Sequence, residues 1–279
     1  LKVIDFSGTW CYNQANKKRR SEKMLAEERL RTILEILEVR KAVSVAQLCQ
    51  QTGASEATIR RDLNELSRQG KINKVHGGAM LPEGEFESQE QDVHTKEGIQ
   101  VEQKERIARY AAKQVCDDDF VFIDAGTTTL KMVDFLNGSK ATFVTTGIEC
   151  ARRLAEKGLR VYVPGGLLKP STQALVGASA LESMSRYNFT KAFVGTNGIS
   201  VRQGFTTPDT EEASVKSLAI ERSYQSFILA DSSKFGKVAA VTIASLDKAC
   251  ILTDMLPDKL YSRYTVIKEV DSFDLYSDI

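Results

Sequence analysis

Two groups of residues carry side chains whose types and spacing could do chemistry. The first is a set of polar, glycine-bearing stretches that each follow a short apolar run: Asp124-Ala125-Gly126-Thr127-Thr128-Thr129, Thr145-Thr146-Gly147, Gly165-Gly166, Gly195-Thr196-Asn197-Gly198 and Asp231-Ser232-Ser233-Lys234. Glycine lets backbone amides approach a ligand, hydroxyls donate to its oxygens, and a helix opening at Thr128 aims positive amides at an anion. Lys234 adds a full positive charge. A small phosphorylated, hydroxyl-rich molecule satisfies these groups together. The residues expected to touch it are Asp124, Gly126, Thr127, Thr128, Thr129, Thr146, Gly147, Gly165, Gly166, Asn197, Gly198 and Lys234. Taken alone, Gly-Thr-Thr-Thr reads equally well as a loop with a helix cap; five such stretches favour a pocket. Neither G-x-x-x-x-G-K-[ST] nor G-x-G-x-x-G occurs, so nucleotide and dinucleotide cofactors get little support, and no cofactor is expected.

The second group lies near the N-terminus. At about 100° per residue, Ile59, Leu63 and Leu66 fall on one side of a helix, with Ala57, Arg61, Asn64 and Arg68 opposite and Arg60 on the flank. Arg and Asn make paired hydrogen bonds to guanine and adenine edges in a major groove, and Arg61 is best placed to do so. Ser44, Ser55 and Thr58 near helix N-termini suit phosphate contacts. Lys71, Lys74 and His76 follow, in a segment that alternates between glycines as a short hairpin or wing would, facing a DNA backbone. A merely solvated charged face is the competing reading for any lone Arg pair.

The elements that must position these groups divide the chain. Residues 1–23 lack periodicity and end in the basic run Lys17-Lys18-Arg19-Arg20; they read as a disordered leader, and translation is expected to start at Met24. From 24 to 80 an amphipathic helix precedes two short helices, N-capped by Ser44 and Ser55 and separated by Gly53: a winged helix-turn-helix. Acidic residues with Gly and Pro mark 81–100 as a linker. From 101 to 270, strands at 120–123, 141–144, 161–163, 192–194 and 227–229 alternate with helices at 128–136, 148–157 and 210–222, the pattern of an α/β domain with a parallel sheet. In such sheets ligands bind beyond the carboxyl ends of the strands, where the first group of residues lies. The tail from Asp271 to Ile279 reads as frayed.

The chain has 279 residues and a net charge of +1, which argues neither for nor against a nucleic-acid partner as a whole. Its distribution is informative: +4 over 1–23, +2 over 24–79 and −5 over 80–279. Five cysteines without C-x-x-C spacing fit reduced thiols in a cytoplasm. Two histidines make a His-based zinc site unexpected, and no metal is expected. No apolar run reaches the roughly 20 residues needed to span a bilayer.

Ser55-Glu56-Ala57-Thr58-Ile59-Arg60-Arg61-Asp62-Leu63-Asn64 together with Val45-Ala46-Gln47-Leu48 and Val75-His76-Gly77-Gly78-Ala79 resembles the winged helix-turn-helix of DeoR-type sugar-metabolism repressors. The resemblance continues through Asp124–Thr129, Gly165-Gly166, Gly204-Phe205-Thr206 and Ala230–Gly236, which are similar to the effector domain of that family, a fold related to ribose-phosphate isomerase. It implies a repressor that binds double-stranded operator DNA and releases it, or alters its grip, when a sugar phosphate binds. The match leans towards fructose-operon repressors, with fructose 1-phosphate as the expected effector and tagatose 6-phosphate as the alternative. Thr145-Thr146-Gly147 departs from the pattern, since many members carry Thr-Asn followed by a small residue. Two-fold operators imply a homo-oligomer, a dimer or a tetramer. The competing function is a sugar-phosphate isomerase, for which Asp124, Asp209, Glu211, Glu212 and Lys234 could supply acid, base and charge. No evident catalytic carboxylate pair supports it, so no enzyme activity is expected.

Overall fold

The computed structural model describes residues 25–40, 42–80, 86–87 and 92–271. The leader, Met24, most of the connector and the residues after Asp271 lie outside them. The chain divides into two compact units, 1–83 and 84–279.

In the first unit, α1 (Ala26–Arg40) leads to β1 (Ala42–Ser44), α2 (Val45–Thr52), α3 (Glu56–Arg68), β2 (Asn73–Val75) and β3 (Gly78–Met80). Ser44 caps α2 through a reciprocal box: its Oγ accepts from the Gln47 amide while Gln47 Oε1 accepts from the Ser44 amide. Gly53 ends α2 at φ 69°, and Ser55 Oγ accepts from the Thr58 amide to open α3. Ile33, Leu37, Leu48, Ile59, Leu63 and Leu66 form the core between the helices. The expected wing is the β2–β3 hairpin, which the sequence did not show to be joined by β1 in an antiparallel sheet of order β1-β3-β2. Gly78 is required there, because a Cβ would lie 2.3 Å from the Val43 carbonyl oxygen.

The second unit runs β4 (Phe86–Glu87), α4 (Val93–Glu97), α5 (Val101–Lys113), β5 (Phe120–Ile123), α6 (Thr127–Val133), β6 (Thr142–Thr145), α7 (Ile148–Glu156), β7 (Arg160–Tyr162), β8 (Leu167–Lys169), β9 (Ala174–Val176), α8 (Ala178–Met184) and β10 (Phe189–Gly195). Next come β11 (Gly198–Ser200), β12 (Gly204–Thr207), α9 (Thr210–Glu221), β13 (Ser223–Leu229), β14 (Val238–Ala239), β15 (Val241–Ala244), β16 (Cys250–Thr253) and β17 (Ile267–Glu269). Seven parallel strands form one sheet in the order β17-β16-β13-β10-β5-β6-β7. Adjacent residues of a strand point to opposite faces. Val121, Ile123, Phe143 and Phe193 therefore pack under α5, α6 and α7, and Phe122, Val144, Val194 and Ile228 under α8 and α9. Burial on both faces explains why these strands read as continuous apolar runs.

All five expected strands lie in this sheet. β16 and β17, α8 and the small antiparallel sheet β11-β12-β15 were not legible. Two stretches assigned to the connector are structured: β4 pairs with β14, and α4 begins with the Val93 amide donating to the Ser171 carbonyl at 3.1 Å. From β5 the chain steps to β6 and β7 on one side, whereas β10, β13, β16 and β17 build outward on the other. The seam between β5 and β10 is thus a topological switch point, where the carboxyl ends of open α/β sheets leave a crevice.

Candidate DNA-reading surface and ligand pocket

α3 buries Ile59, Leu63 and Leu66 and exposes Ala57, Arg60, Arg61, Asn64 and Arg68, the division that helical spacing predicts, and buries Asp62 besides. Arg60 pairs with Glu56 at 2.6 Å and Arg68 with Glu65 at 2.5 Å. Such exposed pairs one helical turn apart contribute only about 0.3–0.5 kcal/mol, so both guanidiniums are released readily to a stronger anion. Arg61 is exposed and has no partner among the described residues. Asn64 Oδ1 accepts from Lys74 Nζ at 2.6 Å, which ties the helix to the hairpin. Lys71 and His76 are exposed. The hydroxyls of Ser44 and Ser55 serve as caps, and the Thr58 hydroxyl shares a hydrogen bond with Ser55 Oγ at 2.9 Å.

Asp62 was not singled out for a role in the sequence. It is 8% exposed and accepts two hydrogen bonds from Arg29 of α1, from Nε at 2.5 Å and from Nη2 at 3.1 Å. This bidentate pair raises the pKa of the Arg29 guanidinium and fixes α3 against α1.

At the β5–β10 seam lies a cavity of about 180 Å3. Of the residues expected there, Asp124, Gly126, Thr127, Thr128, Asn197 and Lys234 line it. Thr129, Thr146, Gly165, Gly166 and Gly198 do not, and Gly147 lines a neighbouring cavity instead. The reasons are local. Thr129 Oγ1 accepts from the Gly126 amide and donates to the Asp124 carbonyl, so this fully buried hydroxyl closes the turn into α6. Thr146 is buried, and its carbonyl accepts from the Leu175 amide. Gly166 packs so closely on β9 that a Cβ would lie 2.7 Å from the Val176 carbonyl oxygen, and one on Gly198 would meet the Lys237 carbonyl at 2.5 Å.

What the sequence did not indicate is a convergence of lysines. Lys96 of α4, Lys104 of α5, Lys216 of α9, Lys234 and Lys237 all line the cavity, against three carboxylates, Asp124, Glu212 and Asp231. Two of these acids are already paired with lysines, and Asp231 accepts from the Ser233 amide at 3.1 Å. Asp124, 3% exposed, accepts from Lys216 Nζ and from the Gly195 amide at 2.9 Å. Glu212 accepts from Lys169 Nζ at 2.8 Å and Thr172 Oγ1 at 2.7 Å; burial opposes its ionisation, yet Lys216 and these bonds hold its pKa below the usual carboxylate value. Lys234 has no ion-pair partner among the described residues. Lys104, 4% exposed, donates to the Lys96 carbonyl. Burial, reinforced by the charges of Lys234, Lys131 and Lys96, lowers its pKa to about 8, although Asp231 pulls the other way. The result is a cation-rich hollow at the mouth of a parallel sheet, with Lys104 and Lys216 buried in its wall, suited to a multiply charged oxyanion.

No helix among the described residues is long and apolar enough to cross a membrane. Family comparisons match residues 29–85 to a DeoR-like helix-turn-helix domain and residues 99–255 to a DeoR C terminal sensor domain. A Bacillus subtilis (strain 168) protein named "uncharacterized HTH-type transcriptional regulator FruR" is 38% identical over 88% of this chain and 99% of its own length. The glycerol-3-phosphate regulon repressor of Escherichia coli (strain K12) is 33% identical over 84% of this chain and 93% of its own. The lactose phosphotransferase system repressor of Streptococcus mutans serotype c is 29% identical over 88% and 99%. Among solved structures, a ribose 5-phosphate isomerase from Methanocaldococcus jannaschii overlaps 47% of this chain and 53% of its own at 14% identity with a TM-score of 0.36, too low to carry an argument. The three sequence relatives are named as regulators and repressors. With a helix-turn-helix unit, a sensor unit and relatives matched over nearly their whole length, the chain belongs to the DeoR family of transcriptional regulators.

Proposed function

We propose that this regulator represses a sugar uptake or catabolic operon by holding operator DNA through its winged helix-turn-helix, and that a phosphorylated sugar in the lysine-lined cavity relieves repression. The observation that carries the effector half is the convergence of five lysines against three acids on a switch-point cavity, where Lys216 is committed to Asp124 and Glu212 is also held by Lys169 from outside the lining. Fructose 1-phosphate is the expected effector, supported by the relative named FruR. Relief requires that the ligand bind two states of the protein unequally. Two-fold operators call for a dimer or tetramer, and the scattered thiols suit a cytoplasmic setting.

The test is fluorescence anisotropy of the purified protein on DNA from upstream of its own gene, at fixed salt, titrated with sugar phosphates. Release by one compound supports the reading; tight binding unmoved by any of them rejects the effector half. Arg61→Ala is expected to weaken operator binding by about 1–3 kcal/mol and to relax base preference at one position. An affinity equal to wild type removes Arg61 from the reading helix.

The buried lysine gives a pH signature. In the free protein Lys104 loses its proton as pH rises through about 8. A phosphate dianion beside it favours the ammonium form, so binding near pH 8 takes up a proton. Ester affinity is therefore expected to fall as pH rises from 7 to 9. Calorimetry in buffers of different ionisation enthalpy measures the uptake, and Lys104→Met should abolish it.

A further inference from the structure

Asn64 and Lys74 meet across two elements, Asn64 on the exposed face of α3 and Lys74 on the exposed strand β2 of the wing. The contact runs from Lys74 Nζ to Asn64 Oδ1, at 2.6 Å. A carboxamide has an accepting oxygen and a donating amino group, whereas an ammonium group can only donate. The atom of Asn64 that faces Lys74 must therefore be the oxygen, and the amide has one orientation. Its amino group is the end that the lysine does not hold.

The strand that presents Lys74 is anchored on both sides. Ile72, just before it, is buried in the same core as Leu63 and Leu66 of α3. After it, the Gly77 carbonyl accepts from the Val45 amide at 2.9 Å, and Ala79, which pairs with Lys74 across the hairpin, is fully buried. On the helix side, the burial of Leu63 next to Asn64 fixes the rotation of α3. The hydrogen bond thus joins two elements whose backbones are each held by the core, the condition for a recognition group to keep its geometry.

Building on the reading of α3 as the base-reading helix, we propose that Lys74 sets the base preference of Asn64, turning an amide that would select adenine into one that selects guanine. Adenine presents an acceptor, N7, beside a donor, the N6 amino group, and an amide selects it by using both of its ends. With Oδ1 occupied, the adenine amino group would meet an oxygen already engaged and, beside it, an ammonium that is itself a donor. Guanine presents two acceptors, N7 and O6. The Asn64 amino group and the remaining N–H groups of Lys74 are all donors, so together they form a donor-only surface that matches this edge. Lys74 is then a positioning residue for base choice, although it stands on the wing, where a lysine ordinarily meets phosphate.

Selection of sites from a randomised double-stranded DNA pool by the full chain, followed by anisotropy at fixed salt on single-base variants of the selected site, tests this. Both positions are exposed, so the variants fold. Asn64→Ala is expected to flatten the preference at one position of the site, which marks the base pair that the amide faces. Wild type should favour guanine there about tenfold over adenine, and Lys74→Met should shift that ratio at least about tenfold towards adenine, because the released amide regains its paired bonds. Lys74→Arg keeps a donor for Oδ1 and should keep guanine. A uniform loss of affinity in Lys74→Met, with the base profile unchanged and the salt slope reduced by about 1, makes Lys74 a phosphate contact and overturns the inference. A wild-type choice other than guanine at the marked position overturns it as well, as does a profile that Asn64→Ala flattens nowhere. No site-selective binding by wild type overturns the reading of α3 and the inference with it.

Discussion

Asp62→Ala is expected to unfold the DNA-binding unit while leaving the sensor unit folded. Arg29 is 9% exposed and holds Asp62 through two hydrogen bonds, so truncation removes the carboxylate that answers a buried guanidinium between α1 and α3. Removing one partner of a buried pair costs about 3–5 kcal/mol. A unit of this size rests on a small core and has few kcal/mol in hand. The variant should lose its DNA-binding-unit transition in calorimetry and all specific DNA binding, yet still bind the effector. Asp62→Asn, which keeps an acceptor without the charge, should fall between. A melting profile within about 1 kcal/mol of wild type would show that the pair is dispensable.

Lys216→Met is the corresponding experiment on the sensor. Asp124 and Lys216 pair at the seam with side chains 4% and 8% exposed, and the carboxylate's other bond is from the Gly195 amide. Without Lys216 the carboxylate is buried at the strand ends with one donor, the Gly195 amide, a loss of about 3–5 kcal/mol. Asp124→Asn placed on the same background removes the stranded charge and retains an acceptor for Gly195, so the double variant should recover more than half of the lost stability. A chemical denaturation series on the two singles and the double gives the coupling. Additive effects would mean that the pair does not act as a unit.

The legible parts of this molecule are those in which one segment does the work. The exposed face of α3 follows from helical spacing, the wing from alternation between glycines, and the strand-end loops from apolar runs broken by Gly and Thr. Asp62 reads as one more charge on a polar helix, because the partner that buries it is 33 residues away. Lys96, Lys104, Lys216 and Lys237 were missed for the same reason. Each sits in a locally ordinary context, and only the sheet's topology brings α4, α5, α9 and the β13–β14 connection to one cavity. Lys104 in particular lies on a helix whose apolar stripe, Ile107 and Ala111, reads simply as packing. Thr129 failed in the opposite direction: its type suits a ligand, but the turn consumes its hydroxyl. β16 and β17 escaped notice because the alternating strand–helix rhythm stops before them, where short 3-10 turns replace the covering helices.

The β8–β9 hairpin forms a two-stranded sheet of its own, outside the seven-stranded one, yet its connecting turn supplies Thr172 to both cavities and Gln173 to the neighbouring one. Variation there leaves every rung of the main ladder untouched. Substitutions in this turn therefore reshape the walls of both cavities while the lysines and the seam keep their places. The same separation makes residues 170–173 the natural window for a directed-evolution library aimed at a new inducer.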